Sequence, residues 1–151
     1  MDSFRKKFIE EAAELIDKLE VSLLELEKSP NDEALIQQVF RVMHTLKGNS
    51  AMFGFDLIDS FTHNLETIYD MIRNGQLEVS KDILNITFSS VDHLKAMLDE
   101  QNYDDPDFKT VHNGLMGKIN RIINPSNAET EAESAKSSKE KSESLSTYYI
   151  L

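Results

Sequence analysis

Residues 4–28 read FRKKFIEEAAELIDKLEVSLLELEK, and the spacing of their apolar side chains decides the fold class. Phe4, Phe8, Ala12, Leu15, Leu19, Leu23 and Leu26 recur at steps of four or three, which keeps them on one stripe of an α-helix. Ser3 stands where an N-cap belongs. Ser29-Pro30-Asn31 ends the run, because proline disfavours helical backbone in the residue before it. A helix over about residues 4–28 is predicted.

The same period continues outward. Asn31 or Asp32 caps a second helix, with Glu33 near its positive end. Leu35, Val39, Val42, Met43 and Leu46 supply its core face, widened by Ile36 and Phe40, as far as about Phe53-Gly54. Asp56 is expected to cap a third helix that buries Leu57, Ile58, Phe61, Leu65, Ile68 and Ile72 and stops at Asn74-Gly75. Ser80 caps a fourth, with Ile83, Leu84, Thr87, Val91, Leu94 and Leu98 inward, and Asp105-Pro106 opens a fifth that turns Phe108, Val111, Leu115, Ile119 and Ile122 to one side. Short connections make consecutive helices antiparallel neighbours. No strand alternation precedes residue 125. The expected class is all-α: an antiparallel up-down four-helix bundle with an added fifth helix over residues 1–123, then a disordered acidic and Ser-rich linker over 124–147. Residues 148–151 regain strand-forming character and read as the start of a truncated following domain.

Composition narrows the function. The chain has 151 residues, with 16 Lys and Arg against 27 Asp and Glu, a net charge of −11. Nucleic acid is therefore not an expected partner, since clustered cations are what displace phosphate counterions. Cysteine is absent, which removes disulfides, thiolate zinc sites and a cysteine nucleophile. No apolar run approaches the ~18 residues that span a bilayer, no signal-peptide core opens the chain, and no Gly-rich phosphate loop occurs. A cytoplasmic protein with no ATP site and no membrane insertion is expected.

The second helix carries His44-Thr45-Leu46-Lys47-Gly48. Met43 and Leu46 point inward, so His44 lies on the flank with Arg41, Lys47 and Gly48 at steps of three and four. A cation at Lys47 can offset negative charge arriving on the imidazole. Gly48 costs roughly 1 kcal/mol against alanine inside a helix and removes bulk where a second macromolecule would approach. An ordinary surface histidine beside an ordinary lysine fits the same spacing. On the third helix His63 and Glu66 share one face; if that face meets His44, a carboxylate accepting from Nδ1 would fix the tautomer and leave the Nε2 lone pair free. A solvated Glu66 and a partly packed His63 fit the spacing equally. A di-iron centre needs Glu-x-x-His pairs, but Arg41, Ser60, Ser90 and Lys109 precede the four histidines by three, so no metal is expected. His93 and His112 read as interfacial or surface residues.

The run from Phe40 through His44-Thr45-Leu46-Lys47-Gly48-Asn49 to Phe55, supported by Thr62-His63-Asn64-Leu65-Glu66, resembles the phosphoacceptor motif of histidine phosphotransfer (HPt) domains. Among these it is most similar to the N-terminal HPt domain of the CheA chemotaxis histidine kinases. The resemblance implies that His44 is phosphorylated by the kinase's ATP-binding domain, typically in trans, and passes the phosphoryl group to an aspartate of a CheY- or CheB-type response regulator. It implies that Glu66 orients the tautomer, Lys47 compensates phosphoryl charge and His63 joins the hydrogen-bond network. Partners would dock over Arg41, Gly48 and Asn49, the last standing where some relatives have a second glycine. The fragment itself would be a monomeric phosphocarrier, with ATP and Mg²⁺ supplied by a separate kinase domain and the full-length kinase associated with membrane receptor arrays. A phosphorelay protein outside chemotaxis and a non-catalytic helical adaptor are the alternative expectations.

Overall fold

Each helix begins and ends where local chemistry allows it. In the computed structural model, which describes residues 2–125, the elements are α1 (Asp2–Lys28), α2 (Glu33–Met52), α3 (Asp56–Arg73), α4 (Lys81–Met97), a 3₁₀ turn (Glu100–Asp104) and α5 (Pro106–Ile123). The Asp32 carboxylate accepts from the Ala34 and Leu35 amides at 3.0 and 3.2 Å, a cap that contributes about 1 kcal/mol. Ser80 caps α4 through the Ile83 amide, and Asp105 accepts from Asp107 at the start of α5. Gly54 and Gly75 take φ of +79° and +80°, so the chain leaves α2 and α3 in the left-handed region that glycine tolerates.

Among the described residues there is no strand. Helices α1 and α2, α2 and α3, α3 and α4, and α4 and α1 are neighbours, which is the closed ring of a four-helix bundle. Its core holds Phe8, Ile16, Leu19, Leu23, Val39, Met43, Leu46, Phe61, Leu65 and Leu94. Full burial of each large side chain contributes about 1.5–3 kcal/mol. Two polar bridges, one part-buried and one buried, link its helices. Gln38 Nε2 donates to Ser22 Oγ at 2.8 Å between α2 and α1, and the Tyr69 and Thr87 hydroxyls pair at 2.9 Å between α3 and α4.

Several expectations are corrected. Helix α1 starts at Asp2, two residues early. Phe4 is 63% exposed, so the buried stripe of α1 begins one turn later, at Phe8. Ile16 is fully buried in place of the expected Leu15, and Ile36 is buried while Leu35 is only half-buried. Steps of four then three from Ala12 to Leu19 through Ile16 keep one helical face as well as three then four through Leu15, so adjacent apolar residues are not told apart by spacing. Asp56 does not cap α3. Phe55 occupies the N-cap position without a side-chain bond, since its ring stacks on Phe8 with centroids 4.4 Å apart. Leu98 gives way to Met97 as the buried residue closing α4. The 3₁₀ turn, opened by Asp99 accepting from Gln101, adds an element that the apolar periodicity does not signal.

The chain divides into units 1–119 and 120–151, the boundary falling within the last turn of α5. The first unit contains the bundle and most of α5. There α5 buries only Leu115 and Ile119, with Val111 exposed. It is joined to α3 and α4 mainly through rings: His112 lies 5.5 Å from Phe61 and Phe108 lies 4.6 Å from His93, centroid to centroid. A lone helix appended to a bundle needs only a narrow apolar stripe. Of the second unit only residues 120–125 are described. The expected linker and the strand-like 148–151 segment therefore lie outside the described residues, apart from Asn124 and Pro125.

Candidate functional site

Helix α2 presents His44 outward because Val42, Met43 and Leu46 are drawn into the core. Its side chain is 65% exposed, whereas the Glu66 carboxylate it contacts on α3 is only 9% exposed. His44 Nδ1 hydrogen-bonds Glu66 Oε2, and Lys47 Nζ donates to Glu66 Oε1 at 2.7 Å. Antiparallel packing of α2 on α3 brings these residues together from 19 and 22 positions apart.

Burial pushes the Glu66 carboxyl up, but the hydrogen bonds from Lys47 and His44, with their charges, outweigh it and hold the group below its ordinary 4.5. Glu66 is therefore ionised at neutral pH and can only accept. The proton of the contact sits on His44 Nδ1, which leaves the Nε2 of a neutral ring with an unshared pair. The result is an accessible nitrogen nucleophile backed by a sheltered carboxylate.

The other expected residues fall into place unevenly. Lys47 is near His44, yet its ammonium is engaged with Glu66. His63 Nδ1 stands 3.8 Å from Glu66 Oε1, beyond a hydrogen bond, so the expected bond to the network is replaced by a charge contact that operates when the imidazole is protonated. Gly48 is exposed, and a Cβ built there would meet nothing within 4 Å. Asn49 is half-buried beside it. Arg41 is exposed and takes no part in the Glu66 network.

Two features lie beyond what spacing indicates. Phe40 lies nearly parallel to the His44 ring, with centroids 6.1 Å apart and planes 13° apart, and the Arg73 guanidinium sits 3.8 Å over Phe40. The step of four from Phe40 to His44 is a usable signal; nothing local points to Arg73. Of the two expected placements, interfacial or surface, His93 and His112 take the interfacial one: His93 is buried, His112 half-buried, and His93 Nε2 pairs with His112 Nδ1 at 3.0 Å. That pair joins helices whose register the sequence does not reveal. Among the described residues no group of three or more His, Asp or Glu is placed to hold a metal ion, and no helix is long and apolar enough to cross a membrane.

A family model described as Hpt domain matches residues 3–102. The chain belongs to the Hpt domain family. This Hpt domain is similar to the chemotaxis protein CheA of Bacillus subtilis, 38% identical over 132 residues, which is 87% of this chain and 19% of that protein. It is 41% identical over 91 residues to the chemotaxis protein CheA of Borreliella burgdorferi, covering 60% of this chain and 10% of that one. The Hpt domain thus spans a fifth or less of the length of these curated relatives. Among solved structures it resembles the CheA phosphotransferase domain from Thermotoga maritima, with TM-score 0.63, 38% identity, and coverage of 65% of this chain and 93% of that one. It also resembles the phosphorylated P1 domain of CheA3 in complex with CheY6 from R. sphaeroides, with TM-score 0.67, 28% identity, and coverage of 81% and 99%.

Proposed function

We propose that this Hpt domain is the phosphocarrier of a CheA-type chemotaxis kinase and that His44 is its phosphoacceptor. The observation that carries the reading is the pairing of an exposed His44 with an ionised, buried Glu66. In the first step His44 Nε2 attacks the γ-phosphorus of ATP held by a separate kinase domain with Mg²⁺. The Nε2–P bond forms, the bond from phosphorus to the β,γ-bridging oxygen breaks, and ADP leaves. Nε2 carries no proton to lose. The Nδ1 proton stays against Glu66, which stabilises the positive charge growing on the ring. In the second step a receiver aspartate oxygen attacks phosphorus and the Nε2–P bond breaks, restoring the neutral imidazole.

Phosphoryl transfer asks mainly for positioning and charge compensation, and the residues supply both. Glu66 orients the ring and Lys47 balances Glu66, within reach of a phosphoryl group on the next turn. Open space over Gly48 supports docking of a globular partner on this face, with Arg41 and Asn49 at its margin. The likeness to a P1 domain solved in complex with CheY6 supports a CheY-type receiver as that partner. A CheB-type receiver, phosphorylation in trans, a monomeric fragment and association of the whole kinase with receptor arrays belong to the same proposal.

The test is incubation with an isolated CheA kinase domain, Mg²⁺ and labelled ATP. Acid-labile, alkali-stable label is expected on this chain and absent from His44→Gln, whose helical circular dichroism is unchanged. Label retained by a folded His44→Gln would overturn the assignment. A non-catalytic adaptor would dock on the same face yet acquire no label.

A further inference from the structure

The hydrogen bond to Glu66 fixes one atom of the His44 ring. A carboxylate accepts over a broad range of directions, so that bond alone sets the tilt of the imidazole plane loosely. The tilt matters, because the Nε2 lone pair lies in the ring plane and must point along the line of attack.

A second aromatic ring lies offset alongside the imidazole. Phe40, one turn earlier on α2, lies within 13° of parallel at a centroid distance of 6.1 Å, inside the range where aromatic rings attract in offset geometry. Phe40 is only half-buried, while its neighbours Val39 and Met43 fill the core. Its own ring is covered by the Arg73 guanidinium at 3.8 Å, a cation–π distance. Arg73 is held in turn from both helices. Its Nε donates to Asp70 Oδ1 at 2.8 Å on α3, and its Nη1 donates to Gln37 Oε1 at 3.3 Å on α2.

These contacts follow one antiparallel register. The order His44, Phe40, Gln37 toward the start of α2 runs alongside the order Glu66, Asp70, Arg73 toward the end of α3. The register that brings the carboxylate to Nδ1 therefore also brings the Arg73 guanidinium over Phe40, whose place one turn before His44 is set within α2 itself. We infer that Phe40, held by Arg73, is a positioning residue that sets the plane of the His44 ring for phosphoryl transfer. The inference rests on the reading of His44 as the nucleophile. It assigns Phe40 no contact with the phosphoryl group.

The experiment combines kinetics with a direct view of the ring. His44 ring-proton and nitrogen NMR signals are recorded on the unphosphorylated 151-residue chain for wild type, Phe40→Leu, Phe40→Tyr and Arg73→Gln. The rate of labelling by kinase domain and Mg²⁺-ATP is measured against the concentration of each. Phe40→Leu is expected to lose the aromatic ring-current shift at His44 and to lower kcat about threefold to tenfold at unchanged KM, short of the ~10²-fold that gross misplacement costs. The His44 nitrogen tautomer should remain as in wild type. Phe40→Tyr should restore both the shift and kcat, and Arg73→Gln should move both part of the way. Wild-type kcat and ring signals in Phe40→Leu would overturn the inference, as would a defect confined to KM. Should Phe40→Leu lose its helical fold, the exposed Arg73→Gln change decides alone, unchanged kcat and signals counting against the proposal. Failure of wild type to accept label would instead overturn the nucleophile assignment, which the NMR arm distinguishes.

Discussion

His93 of α4 donates to or accepts from His112 of α5 through Nε2 and Nδ1 at 3.0 Å, among the rings of Phe61 and Phe108. One ring must donate and the other accept, so double protonation would set hydrogen against hydrogen. Burial first, and the charge of His112 second, push His93 down to about 4, and burial lowers His112 as well.

Stability should therefore fall with acid before the carboxylates titrate. The unfolded His93 takes up its proton near its ordinary 6.5, whereas the folded one resists until about 4. The contribution is complete above 6.5, declines between 6.5 and 4, and declines no further below. Its amplitude is on the order of 3 kcal/mol at most. Urea unfolding across this window should show a shallower pH slope in His93→Gln than in wild type, although that variant is less stable at neutral pH.

Glu66 behaves with the opposite chemistry and a lower window. Its folded pKa is depressed, so its contribution is present above the unfolded value of 4.5 and is lost as pH falls through the lowered folded value. Lys47→Gln removes the strongest of the lowering partners and leaves burial to act, so the loss should begin at higher pH. An acid titration of the Glu66 carboxyl carbon by NMR in the two proteins checks the direction.

Glu66→Ala should leave helicity unchanged and slow phosphorylation of His44 within the roughly 10²–10⁴-fold range that an acid–base partner contributes. The tautomer accounts for the loss, so the nitrogen spectrum of His44 should show Nε2–H gaining population.

Gly48→Ala should stabilise the protein by up to about 1 kcal/mol, since the new methyl enters open space. Transfer to and from partners should slow through a raised KM. Thermal unfolding and labelling kinetics, measured together, separate the two effects.

Ile16→Ala and Leu15→Ala provide a test of α1. Ile16 is fully buried and Leu15 only half-buried, so Ile16→Ala should cost about 2–5 kcal/mol and Leu15→Ala distinctly less. Chemical denaturation of both variants decides it.

Most helix boundaries were legible because caps and stops are local events: Asp32, Ser80, Asp105 and Gly75 act on backbone groups within a few residues. The proposed acceptor, His44, was legible as an exposed residue beside Lys47 and Gly48, all within two turns of α2. The N-terminus of α3 was not, because Phe55 satisfies Phe8 across the bundle and contributes no side-chain cap.

What the sequence by itself determined is which face of each helix turns inward, though not every residue on that face, where most helices stop, and that His44 stands at the surface. Those properties depend on periodicity and on neighbours a few bonds away. Only the tertiary structure decided that Glu66 meets Nδ1 while His63 stays beyond hydrogen-bond reach, that Arg73 lies over Phe40, and that His93 pairs with His112. The reason is geometric: neighbouring residues on a helix advance about 1.5 Å along its axis, so a shift of a single residue between packed helices replaces one hydrogen-bond partner with another, and no local spacing records that shift.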